Sequence, residues 1–139
     1  MPNKTANPRK RPTRRDLRDL DLEITFLEGI IRRDPEFVEA LQILGDDYTR
    51  RGRYCEGLKI DEHLARLCPD DSLVYYNLAC SYSLTNQFDL AAEALEMAIN
   101  LGYRDFKWMT HDPDLKKLRD QDEYKRIRAK VRLLQAKVR

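Results

Sequence analysis

Apolar positions fall on one helical face along most of this chain. Leu20, Ile24, Leu27 and Ile31 form a stripe with steps of three and four, which predicts a helix over residues 16–33. Leu41, Leu44 and Tyr48 stand at i, i+3 and i+7, and Tyr75, Leu78 and Tyr82 repeat the same spacing 34 residues later. A further, irregular helix is expected to start at Phe106, Trp108 and Met109. Tyr124, Ile127, Val131, Leu134 and Val138 predict a last helix from about Asp122 to the end.

The punctuation between these stripes has the same period. Pro35 and Pro69 follow two predicted helices, where a residue without an N–H cannot extend the spiral. Gly52 and Asn86 fall where the first helix of each unit should stop, and these residue types enter the left-handed conformation most readily. Gly45 and Ala79 on the first helices, with Gly57 and Ala91 on the second, are small enough for two antiparallel helices to approach closely. Asp112-Pro113 reads as an N-cap with proline at the first helical position, and Asp120 with Glu123 as a capping box.

These matched positions resemble the tetratricopeptide repeat signature over residues 16–103, most specifically over 35–101. The resemblance implies an all-α fold, a short right-handed α-solenoid of antiparallel helix pairs. It would comprise a half repeat (16–35), full repeats (36–69 and 70–103), a degenerate repeat (104–121) and a C-terminal capping helix (122–139). Two full units are fewer than the three such arrays usually need, so the flanking helices are expected to supply packing surface and truncation of either end to unfold the rest. Asp61 stands where the family has an apolar residue, and its carboxylate would need an arginine partner or a rotated helix.

In this family the concave face, lined by the first helix of every unit, binds partners. The resemblance places Glu39, Gln42, Asp46, Thr49 and Arg50 there from the first full unit. From the second it places Leu73, Tyr76, Asn77, Cys80, Ser83 and Leu84, with Lys107, Thr110 and His111 continuing the surface. The implied function is that of a non-enzymatic scaffold or adaptor whose ligand is a peptide or helix with an apolar anchor and a basic residue. The family's carboxylate clamp for chaperone C-termini is matched at Asn77 and Lys107 but not at Gln42, Asp46 or His111, and Asp46 would repel the ligand's carboxylate.

Composition changes this picture in three respects. Residues 1–15 carry six basic residues and no acid, residues 125–139 carry seven and no acid, and residues 16–124 hold the remaining 13 against all 24 acids, a net of −11. The basic N-terminal arm, with three prolines and no large apolar side chain, cannot offset the entropy of ordering itself and is expected to be a flexible electrostatic tether near Glu39 and Asp46. The basic ends also open a second class of function, association with nucleic acid, and the stripe of the last helix a third, self-association into a homo-oligomer. Cys55, Cys68 and Cys80 form an odd set without a C-x-x-C pair, which suits reduced, buried thiols. No stretch nears the roughly 18 apolar residues that span a bilayer, and no secretory signal core is present, so a soluble cytoplasmic protein is expected. His63 and His111 lie in different units, and no spacing in the chain marks a catalytic, cofactor or metal site.

Overall fold

The structure, a computed structural model, describes residues 12–138. Every regular element among them is helical: α1 (Arg14–Arg33), α2 (Val38–Arg51), α3 (Tyr54–Leu67), α4 (Ser72–Leu84), α5 (Phe88–Asn100), α6 (Phe106–Met109), α7 (Lys116–Arg119) and α8 (Lys125–Val138). Single 3-10 turns at Pro113–Leu115 and Asp122–Tyr124 precede α7 and α8. The chain divides into two compact units, residues 1–69 and 70–139.

In the first unit α1 packs on α2 and α2 on α3. Ile24, Leu27, Ala40, Leu44 and Tyr48 form the core, with Ile30, Ile31 and Ile60 packed against it. Gly45 sets the approach of α2 to α3, because a Cβ there would lie 3.1 Å from Ile60 Cγ2 and 3.1 Å from Asp61 Oδ1. Gly57 answers from α3, where a Cβ would meet Thr49 Oγ1 at 3.1 Å. Asp61 is thus a buried carboxylate in space that Gly45 leaves open, and it is not without a partner.

In the second unit α4 pairs with α5, and α5 also packs against α7 and α8. Ala79 and Ala91, the counterparts of Gly45 and Gly57, are fully buried. Tyr124, Ile127 and Val131 are buried as well, so the first half of the last helix's stripe lies in its own unit's core.

The helix ends repeat in hydrogen bonds as well as in sequence. Gly52 (φ 86°) accompanies bonds from Gly52 N to Thr49 O and from Arg53 N to Tyr48 O. Asn86 (φ 62°) accompanies the corresponding bonds from Asn86 N to Ser83 O and from Gln87 N to Tyr82 O. Helices α1 and α3 close alike, by Asp34 N to Ile30 O and Cys68 N to Leu64 O, whereas α5 ends at left-handed Gly102 (φ 113°) with Gly102 N to Ile99 O and Tyr103 N to Ala98 O.

Two boundaries differ from expectation. Helix α1 already begins at Arg14, because Thr13 caps it reciprocally with Asp16, so residues 14 and 15 are not part of an arm. The rest of the expected arm, up to residue 11, lies outside the described residues. The last helix opens with the 3-10 turn at 122–124 after Gln121, which makes no side-chain cap, rather than with a capping box at Asp120.

Two glycine substitutions separate backbone strain from crowding. Gly52→Ala meets no atom within 4 Å and is disfavoured by its left-handed backbone alone, a loss of about 1–2 kcal/mol. Gly45→Ala gains about 1 kcal/mol of helix propensity but must push Ile60 and the buried Asp61, a cost of about 1–3 kcal/mol. Urea titrations should show both variants less stable than wild type, and only Gly52 should tolerate Asn without further loss.

Candidate functional site

The residues expected to line a binding face have different fates in the two units. On α2, Glu39 and Arg50 are exposed and Gln42 and Asp46 half-buried, so these four share the open side of the helix together with exposed Ile43. Thr49 does not join them. It is buried, with its hydroxyl donating to Gly45 O at 3.1 Å and facing Gly57 of α3.

In the second unit most of the expected face is interior. Tyr76, Asn77, Cys80 and Ser83 are buried, whereas Leu73 is exposed and Leu84 half-buried. The cover comes from residues 103–118 of the same unit. Tyr103 stacks on Tyr76 with ring centroids 4.3 Å apart, and Ser83 Oγ accepts from Leu118 N at 3.3 Å. Tyr76, Asn77 and Cys80 are therefore out of reach of a ligand, because their own unit has packed over them. Lys107, Thr110 and His111 are exposed, with His111 Nδ1 2.8 Å from Lys107 O. His63 sits in the first unit, its Nε2 2.9 Å from Pro35 O.

The cover is pinned at Asp112, which is 1% exposed. Its Oδ2 accepts from Tyr76 OH at 2.6 Å, Trp108 Nε1 at 2.9 Å and Cys80 Sγ at 3.8 Å, while Oδ1 caps the following turn through Asp114 N at 2.9 Å. Burial pushes the Tyr76 phenol far above its ordinary value, with the neighbouring Asp112 carboxylate adding to it, so the hydroxyl remains a donor. Cys80, Asp112 and Asp114 bring ligand atoms within 4.8 Å of one another, a grouping that could hold a metal ion. The Asp112 oxygens are already surrounded by donors, however, and a cation would have to displace these. The arrangement suits an anion receptor for one internal carboxylate.

The first unit contains two further features that the pattern of the sequence did not reveal. Asp47, 1% exposed, has an Oδ2 without a hydrogen-bond partner. Burial and the neighbouring carboxylates of Glu23 and Asp46 push its carboxyl up to about 8, against the weaker opposing pull of Arg50 3.9 Å away. Leu22 and Phe26, on the side of α1 opposite buried Leu20, Ile24 and Leu27, are 71% and 68% exposed. Thr25, Phe26, Gly29, Ile30, Arg32 and Arg33 line a shallow depression along that helix. On the inner side, Tyr48 donates to Glu28, and Arg53 lies 4.7 Å over the Tyr48 ring while binding Glu56 at 2.6 Å.

No family model matches the chain. It is similar to a plant chloroplast protein. That chloroplastic protein, from Arabidopsis thaliana, is 35% identical over 96 residues, which cover 67% of this chain and 27% of the relative. The chain thus spans about a quarter of the length of this curated relative.

Two substitutions test the buried carboxylates. Asp112→Ala leaves the Tyr76 hydroxyl and the Trp108 indole N–H without their acceptor and should cost about 3–5 kcal/mol, and Asp112→Asn less. Emission of Trp108, the chain's one tryptophan, reads this during denaturation. For Asp47 the folded state holds the proton more tightly than the unfolded chain, so its contribution is full below about pH 4 and is lost as pH rises through about 8. The melting temperature should accordingly fall across that window, and Asp47→Asn should flatten the decline and melt several degrees above wild type on its alkaline side.

Proposed function

We propose that this chain is a short tetratricopeptide-type helical repeat that binds another protein and carries out no catalysis of its own. In this reading α1 is the second helix of an incomplete unit, α2 with α3 and α4 with α5 are the full units, and residues 104–121 with α8 close the array. The recurrence of left-handed caps, small-residue contacts and closing hydrogen bonds at a 34-residue interval supports it.

The observation that carries partner binding is the outer face of α1. An isolated exposed apolar residue is ordinary, but two large ones a turn apart on a helix whose other face is buried make a surface that an amphipathic helix can cover. Asp19 beside Leu22 suits a ligand with an apolar anchor and a basic residue, as do Glu39 and Asp46 on α2. No helix of the described residues is long and apolar enough to cross a membrane. The working compartment in this reading keeps thiols reduced: the cytoplasm, as the sequence suggests, or a plastid, as for the relative.

Affinity capture with wild type, Phe26→Glu and the α3 surface control Lys59→Glu checks the proposal. Phe26→Glu should melt with the wild type yet weaken the captured partner at least tenfold, about 1.4 kcal/mol, while Lys59→Glu retains it. Equal recovery by all three proteins would remove α1 from the binding surface.

A further inference from the structure

The second unit has a pocket of about 350 Å³ between α8 and the loop that follows α6, lined by Met109, Thr110, Arg119, Tyr124, Arg128, Val131 and Arg132. Met109, Tyr124 and Val131 are buried and form an apolar floor. Three guanidinium groups stand around it, and the lining holds no acid. Arg119 is fixed by its Nη1, which donates to Met109 O at 2.9 Å and Asp112 O at 2.8 Å. Arg128 is held over the Tyr124 ring at 4.8 Å and donates to Arg119 O at 3.0 Å. Arg132 follows one turn later on α8 and is exposed.

The charge balance sets these three apart from their neighbours. Lys125 pairs with Asp122 at 3.3 Å and Arg126 with Glu96 at 3.9 Å. Arg119, Arg128 and Arg132 have no carboxylate partner among the described residues. Their planar N–H forks match carboxylate geometry, and two of the three are already oriented by carbonyls and a ring, so little freedom is lost on binding. The volume lies at the small end of the roughly 300–1,000 Å³ typical of ligand pockets and suits one large side chain rather than a cofactor.

We propose that this pocket binds an acidic peptide segment, seating one large apolar side chain on Met109 and Val131 while carboxylates on either side pair with Arg119, Arg128 and Arg132. A nucleic acid strand fits less well. Tyr124 is buried with Arg128 over its ring, which leaves no stacking platform for a base, and phosphates alone make no use of the apolar floor. The site is independent of the α1 face, lies in the other unit, and calls for a ligand of the opposite charge.

The test is fluorescence anisotropy with a labelled, end-blocked probe peptide in which one phenylalanine is centred in a run of glutamates. Controls replace the glutamates by glutamine or the phenylalanine by serine, and an oligothymidylate of equal charge is titrated in parallel. The probe should bind saturably, each control peptide at least tenfold more weakly, and the affinity should fall with salt. Arg132→Glu, a surface change, should lower probe affinity at least tenfold without altering the melting temperature, and Thr110→Trp, which fills the mouth, should do likewise. Phe26→Glu should leave it unchanged, so the α1 reading and this one can fail separately. Absence of saturable probe binding, equal binding of either control peptide, indifference to Arg132→Glu, or tighter binding of the oligothymidylate would each overturn the proposal.

Discussion

The second unit depends on one buried carboxylate. A carboxyl group buried like that of Asp112 is tolerable only when its oxygens are met by donors, and these come from four residues: Tyr76 and Cys80 of α4, Trp108 of α6, and the backbone of Asp114. To satisfy the carboxylate, the segment from Tyr103 to Leu118 must lie on α4. The same residue's carbonyl receives Arg119, so the node that closes the core also orients one wall of the arginine-rimmed pocket.

How far the sequence could be read depended on how local each interaction is. The helices, their small-residue contacts and the left-handed stops at Gly52 and Asn86 are written in neighbouring residues and in a repeating interval, and the observed elements follow them. The capping role of Asp112 was legible for the same reason. Its bonds to Tyr76 and Cys80, more than 30 residues away, were not. A clue did exist in α4, where Leu73, Tyr76, Cys80 and Leu84 leave almost no polar face, as expected of a helix covered on more than one side. Asp47 gave no such clue. It follows Asp46 in a polar run, and only the packing of α1 beside α2 decides which of the two carboxylates is buried.

The two units use the same pair of helices to different ends. In the first, the open side of α2 and the outer side of α1 keep apolar and acidic groups in solvent. In the second, α4 is wrapped by its own chain, and solvent meets the arginine rim together with apolar side chains such as Leu73 and Leu133. A covered helix gains stability and loses a surface; an exposed one keeps the surface and forgoes that burial.

The three thiols are graded in burial: Cys55 is exposed, Cys68 intermediate and Cys80 buried beside Asp112. An alkylating reagent can reach Cys80 only when the cover of α4 lifts, whereas Cys55 is open to it in the native state. The rate at which Cys80 is modified, measured against the always-accessible Cys55, is therefore a clock for local opening of the second unit, and it requires no introduced cysteine.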